Sequence, residues 1–361
     1  MDKRRIFLVR HGRPDFPLDD RRCIGRTDVK LGALGRMQAL LLGDELRDTV
    51  PGGVYCSRLL RASETASYLS TDYAIIQGFE EADAGEWDGK SFEEIKSEYP
   101  ELYLKRGECG SIDIPGAENA SDALRRFREA LDMLMLLTHG DIAVVSHATV
   151  TGAFLATCNG GSADDARKYR LPYGGYCVIE YDGDYRIASD ARLPICHMTP
   201  DLCLRLQDAA GLLPNIRRHC RAVSIEALRI ADNLEEYAGI KTDRNLIECA
   251  SLLHDIARLE HHHEQTGGEY VRILGAEEAG NIIAQHDGPC SEKISEATIV
   301  YIADKLIKEE SSVTVEERYT ASHKKCTTPE GMEYHRIKKQ QAVETAERIN
   351  KACSREVIRI R

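Results

Sequence analysis

The chain has no C-x-x-C pair, no block of basic residues, no internal repeat and no low-complexity tract, and it holds one tryptophan in 361 residues. Each absence removes a class of function. Twelve cysteines scattered without paired spacing are not a disulfide scaffold, which is small and cysteine-dense. They read as reduced, partly buried thiols in a cytoplasmic protein. With 48 Lys and Arg against 59 Asp and Glu, the formal charge is −11. Such a chain is a poor partner for a nucleic-acid backbone, although a local cationic pocket is compatible with it. No stretch approaches the roughly 18 consecutive apolar residues of a membrane helix, and the apolar run after Met-Asp-Lys-Arg-Arg is too short for a signal peptide. The expectation is a cytoplasmic protein with no membrane and no nucleic-acid partner.

What is present suffices for two domains. An apolar fraction of 42% is ordinary for a globular chain, and 361 residues exceed one average domain. Through about residue 190, strand-like and helix-like stretches alternate, which implies an α/β layer architecture. Ile6-Phe7-Leu8-Val9, Gly53-Val54-Tyr55-Cys56 and Ile142-Ala143-Val144-Val145 read as short strands. Arg61 to Leu69 looks helical, and Ala120 to Leu137 carries Leu124, Phe127, Leu131, Leu134 and Leu137 on one stripe. Tyr176 to Tyr181 and Tyr185 to Ser189 flank Asp182-Gly183, a strong hairpin signal that closes the first domain near 190. Past a connection containing Pro194 and Pro200, strand signals fade. Ile216 to Tyr237, Asn245 to Leu259, Glu277 to Gln285 and Glu292 to Lys308 show helical stripes, so the second domain is expected to be all α. From Ser311 the chain is charged and poor in large apolar residues, with a loop and then a helix around Lys338 to Ala352.

Two of the apolar runs end in histidine: Arg10-His11-Gly12 follows the first, and Ser146-His147 follows Val145. Ligands of open α/β sheets sit beyond the carboxyl ends of the strands, so the pattern predicts two imidazoles over one sheet edge, with Arg10 beside the first. Phosphoryl transfer needs a nucleophile, cationic donors around the phosphoryl oxygens and an acid for the leaving oxygen. His11 fills the first role and Arg10 the second. Arg61 stands at a helix start in Ser57-Arg58-Leu59-Leu60-Arg61-Ala62-Ser63-Glu64-Thr65-Ala66, and Glu81 to Gly89 is a Gly-bounded loop with carboxylates and the lone Trp87. Pro115-Gly116-Ala117-Glu118-Asn119 precedes the long helix.

In this ordered set the first 190 residues or so resemble the histidine phosphatase superfamily, in its phosphoglycerate mutase-like branch. The resemblance implies His11 as the residue that becomes phosphorylated, Arg10, Arg61 and His147 as the phosphate pocket, and Glu81 as the proton donor. Asp83 is the local rival to Glu81, and Glu118 reads as a helix-start or rim carboxylate. Three departures concern the substrate rather than the phosphate. Arg13-Pro14 replaces the frequent Glu-Thr, Ser57-Arg58 replaces Ser-Pro, and Ala148-Thr149 replaces Gly-Gly. Arg13 and Arg58 are candidates for binding a second anionic group or for plain surface charge. The stretch from Gly89 to Pro115 is short, whereas mutases of the branch carry a larger insertion there, which favours a phosphatase over a mutase.

Seven of the twelve histidines fall between 197 and 286. His219 lies on a stripe with Val223 and Ile230, His254-Asp255 lies within the apolar helix Cys249 to Ala257, and Asp304 has apolar neighbours on its own helical face. A buried carboxylate needs a cation or hydrogen-bond donors, and one metal shared by these four satisfies them together. From about 212 to 308 the chain resembles the HD domain superfamily of metal-dependent phosphohydrolases. The resemblance implies His219, His254, Asp255 and Asp304 as ligands, with His263 and His286 at positions where some branches add a second metal and Asp255 bridges. His197, His323 and His335 are taken as ordinary histidines, and Lys305 as a solvated helix lysine or a phosphate contact.

The expected whole is a multi-domain, bifunctional phosphohydrolase. An α/β three-layer phosphoglycerate mutase-like domain spans 1–190, a linker 191–211, an all-α HD domain core 212–310, and a charged, partly helical extension 311–361. The first domain needs no cofactor; the second is expected to hold a divalent transition metal, Fe, Mn or Zn. Small phosphorylated substrates, nucleotides among them, are the expected partners. The alternatives are a phosphomutase in the first domain and a metal- or nucleotide-binding regulatory module in the second.

Overall fold

In the computed structural model the chain forms two compact units, Met1–Ile195 and Cys196–Arg361. The structure describes residues 3–50, 52–108, 112–288, 293–323 and 326–361. Glu292, the expected start of a helix, lies outside the described residues, as do Cys109 and Cys290.

The first unit is built on one sheet. Its strands are β1 (Arg4–Arg10), β2 (Val54–Cys56), β3 (Tyr73–Ile75), β4 (Ile142–Ser146), β5 (Tyr176–Tyr181) and β6 (Tyr185–Ile187), in the order β3-β2-β4-β1-β5-β6. β3, β2, β4 and β1 run parallel, and β5 and β6 complete the sheet antiparallel. The helices are α1 (Ala33–Leu46), α2 (Leu60–Leu69), α3 (Phe92–Glu98), α4 (Pro100–Glu108), α5 (Ala120–Leu137) and α6 (Ala148–Cys158).

Alternation along β1 explains the layers. Ile6 and Leu8 pack on Phe127 and Leu131 of α5 and Phe154 of α6. Phe7 and Val9 pack on Leu42 and Leu46 of α1 and Ala62 and Ala66 of α2. A strand covered on both faces must be apolar along its covered length, as Ile6 to Val9 of β1 are. Asn119 caps α5 by accepting from the Asp122 N–H. Leu137, expected on the buried stripe, is exposed at the last turn of α5. The β1–β4 register pairs Ile6 with Ile142 and Arg10 with Ser146. The next residue of each strand, His11 and His147, therefore leaves the same sheet edge side by side.

The second unit comprises α7 (Pro200–Ala210), α8 (Pro214–Ala238), α9 (Arg244–Leu253), α10 (His263–Ile273), α11 (Glu277–Ala284), α12 (Glu296–Lys305), α13 (Val315–His323) and α14 (Pro329–Ala352), plus a small pair of strands, β7 (Ile307–Lys308) and β8 (Ser311–Ser312). Three expectations are corrected here. Most of the stretch read as linker 191–211 is helical: Thr199 accepts from the Leu202 N–H and Pro200 opens α7, a cap-and-proline start signal. The helix expected through Leu259 stops at Leu253, where turn bonds from the Ile256 N–H to Leu253 O and from the Arg258 N–H to Asp255 O take over. Gln207 of α7 donates to the Leu252 carbonyl that the helix end leaves open. His254 and Asp255 thus sit on the turn after α9. In the C-terminal extension the helix starts earlier than Lys338, at Pro329, and buries Ala342, Ala346 and Ile349 where it packs on α8 and α12.

Candidate active sites

His11 follows β1 directly and is buried. Its Nδ1–H donates to the Gly12 carbonyl at 2.7 Å, which leaves the Nε2 lone pair facing the Arg61 Nε–H at 3.2 Å. Gly12 is required here because a Cβ would meet the Gly35 carbonyl oxygen at 2.3 Å. The His147 ring lies with its centroid 5.0 Å from that of His11. Both ring nitrogens of His147 are buried without a hydrogen-bond partner, as is Nε of Arg10. Buried polar atoms that lack partners call for a ligand, and these three belong to the residue that ends β1 and the residue that follows β4. Glu81 lines the same cleft, of about 390 Å3, together with Asp83, Glu118 and Trp87. The structure therefore brings Arg10, His11, Arg61, Glu81 and His147 together, as the sequence predicts.

Backbone carbonyls hold the arginines. Arg61 donates to Thr27 O and Gly25 O at 2.8 Å each, and Arg10 to Leu171 O at 2.8 Å. Asp88 fixes the loop beneath Arg61 by accepting from the N–H groups of Gly25, Arg26 and Thr27 at 2.8 Å each. Glu81 is anchored at the start of α6, with its carboxylate accepting from Thr149 N and Val150 N at 2.9 and 3.1 Å. Arg126 clamps the loop carrying Glu81 through the carbonyls of Gly78, Glu80 and Glu81, and is itself held by Glu118 at 2.7 Å. Glu118 is thus a rim carboxylate bound to an arginine. Sequence reasoning missed Asp88, although its Trp-Asp-Gly context was in view, and also Arg126 and Tyr173. Arg58 does not enter the cleft; it pairs with Glu80 at 3.4 Å and lines a separate groove.

Burial, and then the nearby Arg61 and Arg10, hold His11 well below the ordinary imidazole value of 6.5. Burial and Arg61 do the same to His147. Burial also lowers Arg10 to about 10, still protonated at neutral pH. Both imidazoles are therefore neutral near pH 7. The unfolded chain takes up protons at these positions below about pH 6.5 while the folded chain does not, so protons favour unfolding there. The unfolding midpoint of the first unit should fall as pH drops below about 6.5, and His147→Gln should flatten that slope. A wild-type midpoint independent of pH from 7 to 5 would contradict the assignment.

In the second unit the imidazoles share one pattern. The Nδ1–H groups of His219, His254 and His286 donate to the carbonyls of Glu309, Ser251 and Ile283 at 2.8, 2.7 and 2.7 Å. Each Nε2 is left to face the cluster, the arrangement by which a second layer of bonds orients metal-binding imidazole. His254 Nε2 is buried with no hydrogen-bond partner and lies 3.7 Å from both Asp255 Oδ2 and Asp304 Oδ1. His219 Nε2 is 3.1 Å from Asp304 Oδ1. Ligand atoms of His219, His254 and Asp255 lie within 4.8 Å of one another, and so do those of Asp255, His263 and His286. Two overlapping donor sets that share one carboxylate fit a divalent transition metal, or a pair. His263 Nε2 meets Arg258 at 2.6 Å and Asp255 Oδ1 at 3.6 Å. Lys305 is not solvated: its ammonium is packed 2.8 Å from Asp304 Oδ2 and 3.7 Å from Asp287. None of the described cysteines is in a disulfide, and none joins these sets.

Residues 6–190 match the family model of the histidine phosphatase superfamily (branch 1), and residues 216–308 match that of the HD domain. A Mycobacterium tuberculosis (strain ATCC 25618 / H37Rv) protein named Bifunctional protein Rv2228c is 30% identical over 195 residues, 52% of this chain and 53% of that protein. Uncharacterized phosphatase PhoE of Bacillus subtilis (strain 168) is 28% identical over 164 residues, 44% of this chain and 79% of that protein. A solved structure called Mycobacterial hydrolase 2 has a TM-score of 0.51 at 21% identity, covering 59% of this chain and 98% of the other, a likeness of fold. The match to the mycobacterial relative spans about half the length of that protein. Among the described residues no helix is long and apolar enough to cross a membrane.

Proposed function

Because this chain belongs to the histidine phosphatase superfamily (branch 1) and carries an HD domain as well, we propose that it is a two-site phosphohydrolase. The first site hydrolyses small phosphomonoesters through a phosphohistidine on His11, and the second is a metal-dependent phosphohydrolase acting on a nucleotide or related phosphoester. The observation that carries the first half is the neutral His11, whose Nε2 faces Arg61 beside the unpartnered nitrogens of His147.

The first reaction has two steps. His11 Nε2 attacks phosphorus and the ester P–O bond breaks, while Arg10, Arg61 and His147 stabilise the phosphoryl oxygens. Glu81 gives its proton to the departing oxygen. The bond from Nδ1–H to Gly12 O steadies the imidazolium that results. Water then attacks phosphorus, Glu81 takes its proton, the N–P bond breaks, and inorganic phosphate leaves with His11 neutral again. Trapping [32P]phosphate on a peptide containing His11 at alkaline pH tests this step, and label elsewhere or none at all overturns it.

In the HD domain, His219, His254, Asp255 and Asp304 would hold one ion, with Asp255, His263 and His286 available for a second. When bound, the metal supplies a Lewis acid for the phosphoryl oxygens. The chain's own contribution is to fix the ligands. α14 takes part in this: Tyr334 Oη and Lys338 Nζ reach the Asp287 carboxylate at 2.9 and 3.0 Å, and Lys338 also donates to the Asp287 carbonyl. Asp287 follows His286 directly. Lys338→Ala should therefore weaken metal retention by about tenfold or more, as loss of an orienting partner does. Competition with a chromogenic chelator measures it, and unchanged retention removes α14 from the account.

A further inference from the structure

We propose that Arg13 and Arg170 form a second anion subsite in the His11 cleft, so that its substrate carries a carboxylate or a second phosphate beside the phosphoryl group that is transferred. This rests on the phosphatase reading of the first site and narrows its substrate class.

The argument is an accounting of charge in the cleft. Besides Arg10 and Arg61, which face His11, the cleft is lined by Arg13, Arg21, Arg22, Arg167 and Arg170, and Arg167 is already engaged by another group. Arg22 is neutralised by Asp20 at 2.8 Å, and Arg21 lies over the Phe92 ring. Arg13 donates from Nη2 to two carbonyls, Pro17 O and Leu18 O at 2.8 and 3.2 Å, and meets no carboxylate among the described residues. Its Nε is buried without a hydrogen-bond partner. Arg170 is exposed and has no ion pair among the described residues.

The carboxylates of the cleft are committed elsewhere: Glu81 to backbone donors, Glu118 to Arg126, Asp20 to Arg22, and Asp83 to the Gly85 N–H. Among the described residues, Arg13 and Arg170 thus line this cleft without a counter-charge. Tyr173 relates Arg13 to the reacting centre. Its ring lies 5.6 Å from the His11 ring, 3.7 Å from the Arg10 guanidinium and 6.0 Å from that of Arg13. The His11 ring and the Arg13 guanidinium both stand within 6.0 Å of the Tyr173 ring, so a small metabolite with two anionic ends can span them. Phe16, Ile24 and Ile114 give the cleft apolar surface for the carbon skeleton. Arginine suits both candidate anions, because its planar fork binds carboxylate and phosphate oxygens alike.

The test compares kcat/KM of the full chain for glycerol phosphate, 3-phosphoglycerate and fructose 1,6-bisphosphate, with p-nitrophenyl phosphate as the generic probe. At least one doubly anionic substrate should exceed glycerol phosphate by about tenfold or more, and whether the acid or the bisphosphate does so identifies the second anion. In Arg13→Ala and Arg170→Ala that ratio should collapse toward one, mainly through KM. Arg170→Glu should invert it, and because Arg170 is exposed this variant keeps the test open if Arg13→Ala does not fold. A wild-type ratio near one, or a ratio that both Arg170 variants leave intact, overturns the subsite. Failure to hydrolyse p-nitrophenyl phosphate, by contrast, overturns the phosphatase reading itself.

Discussion

Replacing His11 with alanine should lower kcat for phosphomonoester hydrolysis by on the order of 10^4-fold or more, while hydrolysis that depends on the HD domain stays at the wild-type level. The effect is large because the proposed mechanism has no second nucleophile. His147 is equally neutral and close, yet it follows β4 with neither nitrogen steered by a backbone bond, whereas Nδ1 of His11 is fixed to Gly12. Arg10, Arg61 and His147 remain in the variant and still bind phosphate. The loss should therefore fall on kcat more than on KM, equivalent to about 5 kcal/mol of transition-state stabilisation. A variant that keeps a tenth of the activity would show that water attacks directly and that His11 only binds.

Asp255→Asn should have the second large effect. Asp255 is the one residue common to both candidate donor sets found among the described residues, so one substitution weakens any ion that either set holds. Second-layer partners cost 10–100-fold in metal affinity or activity when removed, and a shared ligand should cost at least about 100-fold. The expected result is a protein purified with little metal, inactive toward diesters and active toward monoesters. Full metal content measured by emission spectrometry in this variant would move the ligand set elsewhere.

The reacting residues of the first site were legible because strand ends carry them. Short apolar runs ending in Arg10-His11 and Ser146-His147 say where each imidazole leaves its strand, and parallel pairing of β1 with β4 makes the two meet. What holds them was not legible. Arg61 is gripped by the carbonyls of Gly25 and Thr27, and those by Asp88, through contacts in irregular loops that have no periodicity to read. Arg170 was passed over for the same reason, and the two readings of Arg58, a second-anion contact or plain surface charge, stayed open because sequence alone cannot tell which way a residue just before a helix points. In the second unit, the motif order and the histidine pattern identified the cluster. The end of α9 at Leu253 escaped because apolar residues continue past it, and the burial of Lys305 because its partners Asp304 and Asp287 come from two separate segments.

The central claim is that two independent phosphohydrolase sites share this chain. It is tested most directly by assaying a generic phosphomonoester and a generic phosphodiester with the wild type and His11→Ala, each before and after metal stripping. The account predicts monoesterase activity that survives stripping and disappears in His11→Ala, and diesterase activity that disappears on stripping and survives in His11→Ala. Monoesterase activity lost on stripping and untouched by His11→Ala would contradict it, and would place the phosphatase chemistry in the HD domain.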